Sequence, residues 1–275
     1  MSVEFHNPAG LAAGSYSHTA VVSGGRTLYV SGQVAFDESG KVVGATFAEQ
    51  AERVFHNLRI ALAAGGARVA LFDLSEEAAA RVAAEIGGLA IPVDVSDAAS
   101  GEAAFARAAA AHGPARILVN CAGVAPVCKV LGKQGLMSLD AYRAGIEVNL
   151  IGTFNMLRLF AQDAQALDPL EGGERGVIVN TASIAAYEGQ IGQTAYASSK
   201  AGVVGLTLPA AREFAPLGIR VCTIAPGIFE TAMLRSLPQA AQDSLGASVP
   251  YPSRLGNAAE YRSEEHTSEL QSRFG

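Results

Sequence analysis

An α/β fold built on a doubly wound parallel sheet is predicted by three observations. Between Gly65 and about Tyr261, short β-branched runs alternate with longer alanine-rich segments. That strand, helix, strand rhythm implies right-handed crossovers and a sheet covered on both faces. The 275 residues are 49% hydrophobic and only 17% charged, so the chain can bury a core and does not read as disordered.

The first 64 residues have a different character. Alternation in Thr27, Leu28, Tyr29 and Val30, with glycines at 24, 25 and 32, predicts a hairpin. A helix over 46–64 follows, opened by the capping box of Thr46 and Glu49. Phe47, Val54, Phe55, Leu58 and Leu62 recur on one face, and Gly65 sits where a C-terminal cap belongs. Thereafter strands are expected at 68–72, 89–93, 116–119, 177–180 and 219–224, being short, apolar and bounded by polar or glycine punctuation. The helices between them are expected at 75–86, 97–112, 139–167 and 194–216. Ligands of such sheets bind outside the carboxyl ends of the strands. The stretch 262–275 is polar and has no apolar periodicity.

Composition excludes several functions. A net charge of −6 offers no electrostatic footprint for a phosphate backbone, so nucleic acid is not an expected partner. No run reaches the roughly 18–20 uncharged apolar residues of a membrane span. The start lacks the basic-then-apolar pattern of a secretory signal, and a cytoplasmic location is expected. Cys121, Cys128 and Cys222 form no CxxC pair, which points to free thiols in a reducing compartment. The five histidines have no ligand spacing, and no metal site is expected.

Chemistry concentrates at Tyr196 and Lys200, with Ser183 thirteen residues before the tyrosine. On a helix, positions i and i+4 share a face, so the phenol and the ammonium point the same way. A phenol with a pKa near 10 is a feeble base at neutral pH, and a close cation stabilises its phenolate. Ser183 lies just past the strand 177–180, where its hydroxyl could hold a carbonyl or alcohol oxygen beside the phenol. Together the three describe a proton donor and acceptor for carbonyl/alcohol interconversion. YxxxK alone also describes a tyrosine packed on a lysine stem. Three further strings accompany it here: Asn120-Cys121-Ala122-Gly123, Val148-Asn149-Leu150 and Ala225-Pro226-Gly227.

In this order and spacing the set resembles the short-chain dehydrogenase/reductase family, whose fold is Rossmann-like. From Gly176 to Tyr261 it is similar to the type II 3-hydroxyacyl-CoA dehydrogenases of that family, also called 17β-hydroxysteroid dehydrogenases type 10. With 65–176 the likeness covers 65–261. The resemblance implies oxidation of a secondary alcohol on a short acyl-CoA or a steroid, with NAD taking the hydride, in a homotetramer. It implies Tyr196 as acid/base and Lys200 as the cation that lowers its pKa and holds the nicotinamide ribose. Ser183 would bind the reacting oxygen, and Asn149 would support a water of the proton relay. Asp73, ending strand 68–72, suits the adenosine ribose hydroxyls and would repel a 2′-phosphate, favouring NAD over NADP. Asp94 and Val95 resemble the pair that contacts adenine, although such an aspartate also serves as a turn or helix cap. Cys121, Ala122 and Gly123 would offer backbone contact. Phe229 and Thr231 match positions that close over the nicotinamide, and a loop phenylalanine can equally plug a core.

The pattern breaks at both ends. A pyrophosphate needs a glycine turn about 20 residues before the ribose carboxylate, yet 45–64 contain no glycine and TGxxxGxG occurs nowhere in the chain. Instead, 1–64 resemble the N-terminal half of a reactive intermediate deaminase (YjgF-type) subunit, without the half that carries that family's substrate-binding arginine. Residues 27–31 and 46–64 are expected to stand in for the lost first strand and helix. The string RSEEHTSELQS at 262–272 resembles a translated sequencing adapter, a non-native tail in place of the family's last strand. The expected domains are therefore 1–64, an incomplete dehydrogenase at 65–261, and the tail 262–275. An inactive chimera without a pyrophosphate loop, or a deaminase-like binding module, are the alternatives to an enzyme.

Overall fold

The computed structural model describes residues 2–6, 19–23, 27–30, 68–133, 135–228, 239–249 and 253–256. It divides into two compact units. The first takes in 1–91, 170–172 and 229–267, and the second 92–169, 173–228 and 268–275.

In the first unit, β1 (Ser2–His6), β2 (Thr19–Ser23) and β3 (Thr27–Val30) form an antiparallel sheet in that order. The hairpin expected around Thr27 is present. The replacement of the lost first strand by 27–31 is not seen among the described residues, where Thr27–Val30 pair with β2, from Thr19↔Val30 to Val22↔Thr27, and with no other strand. Only three residues of sequence, Gly24 to Arg26, separate the two strands, so the pairing joins near neighbours in the chain. The helix expected at 46–64 lies outside the described residues.

The same unit contains β4 (Ala70–Asp73), α1 (Glu76–Ile86) and β5 (Leu89–Pro92) up to Ile91, with β4 hydrogen-bonded to β5. Local chemistry delimits α1. The Ser75 side chain accepts from the Ala78 N–H at 3.2 Å, Glu76 and Glu77 occupy the positive end of the helix dipole, and Gly87 ends the helix in left-handed geometry at φ 63°.

The second unit runs α2 (Ala98–His112), β6 (Ile117–Asn120) and a minimal hairpin of β7 (Leu131–Gly132) and β8 (Gly135–Leu136). The helix expected at 139–167 is three segments: α3 (Leu139–Ile146), a π-helical turn (Glu147–Ile151) and α4 (Gly152–Ala164). Then come β9 (Gly176–Thr181), α5 (Thr194–Phe214) and β10 (Ile219–Ile224). One further helix, α6 (Gln239–Ser248), was not anticipated from sequence and belongs to the first unit. The strands of the second unit are parallel in the order β10-β9-β6, with Asn120↔Asn180 and Thr223↔Asn180 in register. Side chains of β9 alternate buried and half-buried, α4 packs on β6 and β9, and α5 packs on β10. Ile178 and Phe160 are wholly enclosed, with Leu157 and Ile219 nearly so. These α/β elements show the Rossmann-like class expected. Among the described residues β6 pairs with β9 alone and β4 with β5 alone, so the native first strand has no counterpart there. No helix among them is long and apolar enough to cross a membrane.

Candidate active site

The turn after β6, Cys121 to Val124, is held by one side chain. Asn149, in the π-helical turn, is completely buried, and its carboxamide grips both polar groups of Val124. Oδ1 accepts from the Val124 N–H at 2.7 Å, while Nδ2 donates to the Val124 carbonyl at 2.8 Å. The second N–H of Nδ2 goes to Ser199 Oγ at 2.9 Å, and Ser199 Oγ donates to the Tyr196 carbonyl at 2.7 Å. Thus the turn after β6 and the first turns of α5 are referred to one amide. Gly123 suits this closeness, because a Cβ there would stand a tight 3.1 Å from Asn149 Oδ1 and 3.5 Å from Lys200 Nζ.

Tyr196 and Lys200 share a face of α5 as their spacing predicts, with Nζ 5.9 Å from the centre of the phenol ring. Lys200 is buried, and Nζ donates to the Thr181 carbonyl, the last of β9, at 2.7 Å. Burial pulls its pKa down to about 8. Cys121 and Thr181 follow the in-register asparagines on neighbouring strands, and Thr181 Oγ1 donates to Cys121 Sγ at 3.9 Å.

Ser183 stands two residues past Thr181 and is buried. Its hydroxyl oxygen accepts from the Ala185 N–H at 3.2 Å, which caps a single 3-10 turn, Ile184–Ala186, and leaves the hydroxyl proton to donate elsewhere. The Ala225-Pro226-Gly227 string lies against this loop, with the Pro226 carbonyl accepting from the Ile184 N–H at 2.8 Å. Asn149, Gly123, Tyr196 and Lys200 are thereby brought together, with Cys121 and Ser183 on the two strand ends beside them.

Asp94 and Val95 sit in the loop after β5, within the second unit. Asp94 Oδ1 accepts from the Ser96 hydroxyl at 2.6 Å and the Ser96 N–H at 2.9 Å, bonds that hold its carboxyl below the usual range. Asp73 belongs to the first unit. It is exposed at the end of β4, where Oδ1 accepts from the Ser75 N–H at 2.9 Å. Phe229 and Thr231 lie outside the described residues. Sequence reasoning passed over Ser199, the Thr181 carbonyl and Asn155. Only Asn155 left a trace in the sequence, as a polar residue in the apolar stretch of α4.

Comparison with known proteins bears on this arrangement. The sequence profile of the short chain dehydrogenase family matches residues 56–242. Human 3-hydroxyacyl-CoA dehydrogenase type-2 is 46% identical over 200 residues, covering 71% of this chain and 77% of that protein. Human (3R)-3-hydroxyacyl-CoA dehydrogenase is 36% identical over 204 residues, 70% of this chain and 75% of that one. The crystal structure of 3-hydroxyacyl-CoA dehydrogenase type-2 from Mycobacterium avium matches with a TM-score of 0.67 at 39% identity, over 77% of this chain and 82% of its own.

Proposed function

The chain belongs to the short-chain dehydrogenase family, and on that premise we propose that it interconverts a 3-hydroxyacyl-CoA, or a hydroxysteroid, and its ketone with NAD. The observation that carries this reading is the buried Lys200, bonded to the Thr181 carbonyl and facing the Tyr196 ring. Two N–H groups of its ammonium remain beyond that bond, enough for the hydroxyls of a nicotinamide ribose. The bare Gly123 beside it supports a close ligand approach, and the exposed Asp94 carboxylate supports an adenosine contact. The residues present therefore fit both nucleoside halves of NAD, and the pyrophosphate finds no glycine turn in the sequence.

When bound, NAD supplies the acceptor for the hydride leaving the alcohol carbon. The Ser183 hydroxyl donates a hydrogen bond to the substrate oxygen and holds it. The Tyr196 phenolate takes the hydroxyl proton, and Lys200 stabilises that phenolate by its charge. Asn149 keeps the turn beside them in place and would support the water of the proton relay.

The test is a thermal melt of the full chain with and without millimolar NAD, followed by NADH formation from a 3-hydroxyacyl-CoA. A raised Tm and turnover support the reading, and an unchanged melt refutes it. The missing glycine turn favours a second reading, a chain that keeps the family's chemical groups without turnover. Pyrophosphate contacts of the charge-assisted kind are worth about 1.5–3 kcal/mol each, so two or three fewer weaken NAD by orders of magnitude. NAD binding without NADH formation selects that reading.

A further inference from the structure

The loop after β5 is knit by short-range bonds. The Asp94 N–H donates to Ser100 Oγ at 3.0 Å, Asp94 Oδ1 takes both donors of Ser96, and Asp97 Oδ1 accepts from the Ser100 N–H at 2.6 Å to cap α2. Its hydrogen bonds to the rest of the unit, among the described residues, come from Asn155 on α4. The two N–H groups of Asn155 Nδ2 reach the Val95 carbonyl at 2.8 Å and the Asp97 carbonyl at 3.1 Å, across 60 and 58 residues of chain.

The orientation of that carboxamide is fixed from behind. Arg158 Nε donates to Asn155 Oδ1 at 2.9 Å, and Arg158 Nη2 reaches Glu102 on α2 at 3.4 Å. Asn155 is 4% exposed. One turn earlier, Gly152 lets Val95 approach α4, where a Cβ would stand 2.6 Å from Val95 Cγ2. The rigid peptide joining Val95 to Ser96 is therefore held at its carbonyl by Asn155 and at its N–H by the Asp94 carboxylate. Through that one plane, the direction of the Asp94 side chain depends on Asn155.

We propose that Asn155 is a positioning residue for the adenosine end of the dinucleotide, acting through the Val95–Ser96 peptide on Asp94. This rests on the NAD-dependent reading. Asn155 lies six residues beyond Asn149, about 9 Å along the same helical rod. The rod thus fixes two strand-end loops with two carboxamides, the chemical turn by Asn149 and the adenosine loop by Asn155.

Asn155→Asp keeps the size of the side chain and its contact with Arg158, and turns an acceptor toward the two loop carbonyls. Titration of the full chain with NAD and with nicotinamide mononucleotide, which has no adenosine, separates positioning from general damage. NAD binding should weaken about tenfold while the mononucleotide binds within twofold of wild type, and the Ser96 amide should exchange faster with solvent. Arg158→Gln, which frees the carboxamide to turn, should cost NAD about threefold and serves if Asn155→Asp does not fold. Unchanged NAD affinity in either variant, or equal weakening of both ligands, overturns the role of Asn155 alone. If the wild-type chain binds neither ligand, the NAD reading falls and this inference with it.

Discussion

The turns after β6 and β4 each close a strand, yet they are built on opposite principles. After β6, Val124 is clamped by a buried asparagine 25 residues away, which in turn is tied to Ser199 another 50 residues on. After β4, Asp73 is exposed and accepts from Ser75, two residues away. The first turn exists only when the second unit has folded around it. The second is a local turn whose geometry a few residues can supply. Precision in the chemical half thus depends on long-range burial, and changes there should cost far more than changes beside Asp73.

Tyr196→Phe should give the largest effect, a loss of about a thousandfold in alcohol oxidation with NAD affinity kept, as expected when a general acid/base is removed. Steady-state kinetics beside an NAD titration checks this, and retained turnover would remove Tyr196 from its role. Asn149→Leu strands both polar groups of Val124 and removes the bond that Ser199 Oγ accepts, so denaturant unfolding should register a cost of about 3 kcal/mol. A cost below about 0.5 kcal/mol would mean that the turn holds itself.

Lys200 sharpens the contrast through pH. Burial holds its pKa at about 8 against an ordinary 10.5, so between those values the unfolded chain binds the proton that the folded chain has released. Stability from this group should therefore rise with pH through that window, by up to about 1.4 kcal/mol per pH unit. Unfolding of wild type and Lys200→Met across pH 8 to 10.5 should show the slope and its disappearance. Gly123→Ala pushes a methyl against Asn149 Oδ1 and should cost about 1 kcal/mol in the same unfolding assay. Asp73→Ala should cost about 0.5 kcal/mol or less, since its side chain is exposed. A larger cost there would erase the distinction between the two turns.

Much of the framework was legible because it is local. The β-branched runs placed β6, β9 and β10 within a residue or two, and the i, i+4 spacing put Tyr196 and Lys200 on one face. The break of 139–167 into three segments was not legible, because one π-helical turn leaves the apolar pattern nearly intact. The bonds from Asn149 to Val124 and from Asn155 to Val95 join positions 25 and 60 apart, and no window of sequence contains both partners. The motif strings marked Asn149 as important without revealing that both N–H groups of its side chain are spent on holding a turn and a helix.

The pair of asparagines near the ends of β6 and β9 also bears on how the two strands align. Asn120 Nδ2 donates to Asn180 Oδ1 at 2.9 Å, both residues are buried, and Nδ2 of Asn180 has no partner among the described residues. A slip of β6 by two residues along β9 would keep every side chain on its own face, so hydrophobic burial alone would hardly oppose it. It would, however, part the two carboxamides and leave both without their bond in the interior, at about 1–3 kcal/mol for each unsatisfied group. The amide pair works as a key that only one alignment of the strands can turn. In that alignment, Cys121 comes to lie beside Thr181 and the β6 turn comes within reach of Lys200.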